Sequence, residues 1–325
     1  MQRVWAVILG CVLGVLAIAL TFGRSKGTWW SELGWRWLRY RRRSGSLGER
    51  GDDPRLVALR ELAPDVVFEN IAVKTDREIG MGSDGAGWFA VLELESSTAS
   101  VVRPPVPVTA LARLATEAEQ SGVVLQVVQG RAATDGSRVL WIALRLDADA
   151  VAESMIDAQD GKVDVPGVLV ELVRRVGKVL RRRGLAARGL KAHEMIDALA
   201  RSCDLVPFGR PIRVRESWDA WHTAGTSQVC FWLDRWPDPE RGTTLLAALD
   251  DLPSARVTVA VLLEPSGEGT NLRCLVRIAA EPGKSAEVCA QAMALAERMG
   301  ARLRRLDGEH APAVYASAPS GGGAR

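Results

Sequence analysis

From Val4 to Phe22 the chain runs through nineteen residues without a charge. As a helix rising about 1.5 Å per residue this stretch reaches about 28 Å, the thickness of a bilayer core. The competing reading is a cleaved signal peptide, supported by the small-x-small run Ala17-Ile18-Ala19, but the stretch is longer than a usual signal core. Arg24, Lys26, Arg36, Arg39, Arg41, Arg42 and Arg43 follow it, while only Arg3 precedes it. The bias that keeps basic flanks inside therefore predicts an inner-membrane anchor over 1–23, with the N-terminus outside and the rest in the cytoplasm. Gly10 and Gly14 have the GxxxG spacing that lets membrane helices pack closely, and form the expected packing face. Just after the span, Trp29, Trp30, Trp35, Trp37 and Tyr40 crowd together ahead of Arg41, Arg42 and Arg43. Indoles at headgroup depth and guanidinium groups on anionic lipid of the inner leaflet describe an interfacial helix, which with its polar linker covers 24–54.

Beyond the linker the apolar period alternates between two, as in a strand, and 3.6, as in a helix. The pattern predicts strands at Val66–Val73 and Trp88–Glu95 joined by a Gly-rich loop, then a helix at Thr109–Gln120. Strands at Val123–Gly130 and Arg138–Leu146 follow, then a helix at Val168–Arg183 and a short strand at Leu185–Leu190. After a bridging helix at Lys191–Ser202 a similar order returns. It runs strand Gln228–Trp236, helix Thr243–Asp250, strands Arg256–Leu263 and Leu272–Ala279, helix Ser285–Met299 and strand Ala301–Leu306. The second helix and hairpin trail the first by about 134 residues, the mark of an internal repeat. Each pass reads β-α-β-β-α-β, which folds into an antiparallel sheet with two helices on one face. The predicted class is α+β: an N-terminal transmembrane helix followed by two ferredoxin-like units, at 55–190 and 228–316. A bridging helix and linker occupy 191–227, and a flexible tail 317–325.

Charge sharpens this division. The chain has 42 Lys+Arg against 39 Asp+Glu; eight of the basic residues precede position 44 with only Glu32 to oppose them, so the remainder is net negative by four. A net negative body does not suit duplex binding, and no nucleic-acid partner is expected. Five Cys without CxxC spacing fit unpaired, buried thiols in a reducing compartment.

No catalytic constellation emerges. GMGSDG at 80–85 satisfies GxGxxG but lacks the strand before and the helix after that a dinucleotide fingerprint needs. EPGKS at 281–285 lacks the first Gly of a phosphate loop, where Ile278 stands. His193, His222 and His310 are too scattered for a zinc site. No cofactor and no metal are expected. Candidate partner surfaces are the basic side of the Val168–Arg183 helix, with Arg174, Arg175, Lys178, Arg181 and Arg182, and the indoles of Trp218, Trp221 and Trp236.

One family resemblance ties these segments together. An apolar span followed by GTWWSELGWRWLRYRRR, then GSDGAGWFAVLELES, VPVTALARL, SRVLWIALRLD, LRRRGLAARGL and ESWDAWHTAGTSQVCFWLDRWP in that order, resembles EccE of actinobacterial type VII (ESX-type) secretion systems. The resemblance covers nearly the whole chain and rests on order and spacing. EccE proteins usually begin with two membrane helices, whereas this chain shows only the one corresponding to the second. The resemblance implies a non-catalytic membrane subunit that stabilises a core complex with EccB, EccC and EccD, ATP hydrolysis belonging to EccC. Two readings from other classes stand beside it. One is a membrane-tethered transferase using a sugar nucleotide, with Asp234 and Asp238 as its first candidates; the other is a small-ligand sensor binding between paired units.

Overall fold

The computed structural model describes residues 24–25, 28–42, 53–73, 77–95, 105–118, 120–131, 136–157, 163–205, 214–223, 225–267 and 269–323. They fall into two compact units, 1–45 and 46–325. In the first unit β1 (Arg24–Ser25) pairs antiparallel with β2 (Thr28–Trp29), and α1 (Trp30–Arg42) follows directly. Glu32 and Arg36, four residues apart, form an ion pair at 2.5 Å, and the Arg39 guanidinium lies 6.0 Å from the Trp35 ring. Trp30, Trp35 and Trp37 are all exposed.

The expected span at Val4–Phe22, with Gly10 and Gly14, lies outside the described residues, as does Arg43. No helix among the described residues is long and apolar enough to cross a membrane. The longest described helix, Val165–Arg181, carries Glu171, Arg174, Arg175, Lys178 and Arg181 along its 17 residues, which hydrocarbon would not tolerate. The predicted transmembrane anchor, and the inner-membrane location with an outward N-terminus, are therefore withdrawn.

The second unit contains, in chain order, α2 (Pro54–Arg60), β3 (Val67–Val73), β4 (Arg77–Ser83), β5 (Gly87–Leu94), α3 (Val108–Thr116), β6 (Val123–Arg131), β7 (Arg138–Asp147), α4 (Ala148–Asp157), α5 (Val165–Arg181), β8 (Ala187–Gly189) and α6 (Ala192–Ser202). It continues with β9 (Arg215–Glu216), β10 (Trp221–His222), β11 (Ser227–Arg235), α7 (Pro239–Asp250), β12 (Ala255–Ser266), β13 (Gly269–Ala280), α8 (Ser285–Arg298), β14 (Arg302–Arg305) and α9 (His310–Ser317). Side-chain caps fix several helix starts: Asp164 accepts from the Gly167 N–H ahead of α5, and Asp238 from the Arg241 N–H ahead of α7.

The strands of this unit join into one 12-stranded antiparallel sheet of order β3-β4-β5-β7-β6-β12-β13-β11-β10-β9, with β8 paired to β5 and β14 to β11. This overturns the predicted class, two packed ferredoxin-like units behind a membrane helix, each with its own sheet. β6 and β12, which would be the inner edges of separate units, pair from Leu125↔Leu263 to Gln129↔Val259. Edge strands expose unpaired N–H and C=O groups, and joining two of them satisfies both rows at once.

Helices also cover both faces of the sheet rather than one. Leu140, Ile142, Leu144 and Leu146 of β7 face a core with Leu111 of α3 and Leu169, Leu172 and Val176 of α5. In the other half α7 and α8 pack through Leu245, Leu249, Val288 and Ala292 against Val257 and Val276. The alternate β7 positions, Trp141 and Ala143, point into a second core with Leu59 of α2, Met195 and Leu199 of α6, and Val314 and Tyr315 of α9. The predicted Gly-rich loop over 80–85 is largely strand β4: Gly80 and Gly82 lie where α6 and the Phe89 ring press on the backbone, leaving no room for a Cβ. The expected flexible tail is overturned as well, since Ser317–Gly323 pack as a strap on the second face, with Ser317, Ala318 and Ser320 each fully buried.

Candidate functional site

The C-terminal segment, α9 and the strap after it, rests on two buried arginines, one from each half of the sheet. Arg145 of β7 is 3% exposed and Arg277 of β13 is 1% exposed. Arg145 makes a bidentate pair with Asp84, at 2.6 and 2.9 Å, and donates from Nη1 to the Ser320 carbonyl at 3.1 Å. Tyr315 donates its hydroxyl to the same Asp84 Oδ2 at 3.0 Å. Burial, then the Asp84 charge, pushes the Tyr315 phenol well above its usual range, so it stays a neutral donor. Gln126 completes the floor, donating to the Ala316 carbonyl at 2.7 Å and accepting from the Gly321 N–H at 2.8 Å.

Arg277 is held by neutral acceptors: Val314 O at 3.3 Å, Ser202 O at 2.7 Å, Ser202 Oγ at 2.9 Å and Thr258 Oγ1 at 3.3 Å. A buried guanidinium is tolerable when its N–H groups are matched by aimed oxygens, and here α6, α9 and β12 supply them. The arrangement works as a clamp. Carboxylate, phenol and amide are all engaged in holding the C-terminal segment across both halves.

A second polar cluster has the outline of a nucleophile and base. His222 Nε2 lies 2.7 Å from Ser217 Oγ, and its Nδ1 lies 2.9 Å from Ser227 Oγ. Ser217 donates to Asp219 Oδ1 at 2.8 Å, and that hydrogen bond holds the Asp219 carboxyl below its usual range. With the Ser217 proton directed to Asp219, His222 must donate from Nε2 and accept at Nδ1, so it does not serve Ser217 as a base. Burial, then the charge of Arg215, lowers the His222 pKa, which favours this neutral form.

The residues singled out for other chemistry are occupied structurally. Asp238 caps α7, and Asp234 pairs with Arg302 and, at 3.8 Å, with Arg304. Among the described residues no group of three or more His, Cys, Asp or Glu could hold a metal ion. Cys203, Cys230, Cys274 and Cys289 are buried, and desolvation pushes their thiols up to about 11, 12, 12 and 11. Where β6 and β12 diverge, Arg131, Trp141, Arg201, Ser202 and Thr258 line a cavity of about 10 Å³, room for about one water.

The candidate partner surfaces separate into two kinds. Trp221 is 3% exposed and belongs to the core under the strap, so it offers no surface. Trp218 is half-buried, and its carbonyl accepts from the Gly308 N–H at 2.7 Å; Trp236 packs half-buried beside the α7–α8 core. On α5, Arg174 and Arg175 both bond to Glu171, at 2.6 to 2.8 Å, and hold its carboxyl down to about 2. Lys178, Arg181 and Arg182 stand exposed beyond that group. Sequence reasoning missed Asp84, Arg145, Arg277 and Tyr315; charged residues inside otherwise apolar strand runs were the available signal.

Residues 134–233, running from just before β7 to within β11, match the profile of the family described as "Putative type VII ESX secretion system translocon, EccE". Over that segment, about a third of the chain, the sequence is similar to the EccE family. That similarity supports a component of a type VII secretion translocon. The EccE segment contains Arg145, the whole of α5 and the His222 cluster, but not the strap. No curated protein matches the chain. Among solved structures, a "Putative monooxygenase" from Fusobacterium nucleatum subsp. nucleatum matches at 11% identity over 68% of this chain and 92% of its own, with a TM-score of 0.17. Another, from Lactobacillus acidophilus, matches at 10% identity over 68% and 93%, also with a TM-score of 0.17. Likenesses that faint carry nothing about the fold or chemistry of this chain.

Proposed function

We propose that the chain is a non-catalytic structural subunit that stabilises a type VII secretion core complex by contacting subunits of the EccB, EccC and EccD type. The observation that carries this reading is the EccE segment at 134–233. The engagement of the acid–base groups supports it: Asp84, Asp234, Asp238, Ser217 and His222 each serve the fold through a defined partner. A body held by such pairs presents a fixed surface, which suits a scaffold.

The test is affinity purification of the full-length chain, tagged at its N-terminus, from a mild-detergent extract of cells carrying the secretion genes, read by mass spectrometry. Recovery of a stoichiometric set of EccB-, EccC- and EccD-type proteins is the expected outcome. The chain emerging alone, or with turnover of a sugar nucleotide by the purified material, counts against the reading.

A further inference from the structure

The C-terminal end of α5 carries positive charge that no ion pair among the described residues neutralises. Elsewhere in the second unit arginines are commonly matched to carboxylates, as in Arg55 with Asp53, Arg188 with Glu93 and Glu194, Arg256 with Asp204 and Arg273 with Glu264. Lys178, Arg181, Arg182 and Arg183 are exposed, and no ion pair to them is formed among the described residues. At about 100° per residue, Arg174, Arg175, Lys178, Arg181 and Arg182 fall on one side of α5, about 160° from the buried stripe of Leu169, Leu172, Val176 and Leu180. The helix dipole offsets about half a charge at this end, far less than four cations carry.

We propose that this stripe is the docking site for an acidic helical segment of a partner protein, with Asp or Glu at i, i+4 and i+7. It rests on the subunit reading above and assigns one surface to it. Three observations select this occupant. The stripe is one helix wide and, from Arg174 to Arg182, about 12 Å long, the size of two to three turns of a facing helix. The exposed large apolar side chains of the described residues, Trp30, Trp35, Trp37, Val67, Ile156, Leu272 and Met293, are all off α5, whereas a lipid surface is held by apolar insertion beside the cations. The chain beyond position 43 is net negative, with 34 Lys+Arg against 38 Asp+Glu, which disfavours a nucleic acid. Arg174 and Arg175, already paired with Glu171, contribute less than Lys178, Arg181 and Arg182.

The experiment measures binding of three fluorescent probes to the full-length chain: a helical 14-residue peptide with Glu at i, i+4, i+7 and i+11, vesicles of 30% phosphatidylglycerol, and a 20-base-pair DNA duplex. The expected result is salt-sensitive peptide binding, weakened at least about tenfold by combined Lys178→Glu, Arg181→Glu and Arg182→Glu, with an unchanged circular dichroism spectrum. Milder Gln substitutions at the same positions give a partial loss and serve if the reversed variant folds poorly. Absent peptide binding, indifference to both sets of changes, or tighter capture of vesicles or DNA overturns the proposal. Affinity purification of the Gln variant separates the two readings. If the co-purifying set is unchanged, docking at this stripe is wrong while the subunit reading stands; if the unaltered chain recovers no partners, the subunit reading itself fails.

Discussion

The phenol of Tyr315 occupies a place where only a neutral donor fits, since it is fully buried against the carboxylate that also holds Arg145. Tyr315→Phe removes a hydrogen bond to a buried charge and is expected to cost about 1.5–3 kcal/mol in urea unfolding. Asp84→Asn should cost more, about 3–5 kcal/mol, because Arg145 then lies buried without an anion. Equal costs for the two changes would contradict the pairing described here. His222 adds a pH dependence. Its folded pKa is lowered from 6.5 by burial and by Arg215, with Asp219 opposing. The unfolded chain therefore takes up this proton first as pH falls. The contribution of His222 is complete above about pH 6.5 and is lost as pH drops through the lowered folded value. A pH series of melting temperatures should show a shallower acid-side decline for His222→Gln than for the unaltered chain; parallel curves would rule the assignment out.

At the scale of elements, the strap depends on a backbone that only glycine adopts easily. Gly321 has φ +76°, and a Cβ placed on it would sit 2.5 Å from the Arg145 Cβ. Gly321→Val combines left-handed strain with overpacking and should destabilise by about 2–4 kcal/mol. Gly136 makes a matched control, having φ +67° and nothing within 4 Å of its Cβ position; Gly136→Val should cost about 1 kcal/mol. Comparable losses at the two sites in thermal melts would show that the strap is not seated on Arg145. Helix α5 illustrates a different division of labour: its apolar stripe fixes it to the sheet, and its basic stripe faces outward.

Across the second unit, the β6–β12 seam and the strap make both halves one cooperative body. Leu263 of β12 is fully buried and pairs with Leu125 of β6. Leu263→Asp buries a charge at the seam and should cost upwards of about 3 kcal/mol. Trp141 in the first half and Trp232 in the second should still report one shared, lowered transition. Two separated transitions in the unaltered chain would mean that the halves are independent. The seam also explains why the predicted fold class failed. β7 is buried from Leu140 to Leu146 without alternation, the signature of a strand covered on both faces. Reading such strands as half-buried placed helices on one side only and left α6 and α9 as a bridge and the approach to a loose end.

The sequence by itself determined most local elements from β5 to β14, α4, β9 and β10 excepted, because apolar period, capping residues and turn glycines act over a few positions. It also carried the resemblance to EccE, through the order of its segments, and the match over 134–233 supports it. Only the tertiary structure decided that two halves share one sheet, since strand-edge pairing between Leu125 and Leu263 joins residues far apart in sequence. Likewise, Ser317–Gly323 read as a tail because small and polar residues favour disorder when considered alone. Folding supplies Gln126, Arg145 and Asp84 beneath them, and those aimed donors and acceptors make a glycine-rich segment after α9 into a buried part of the core.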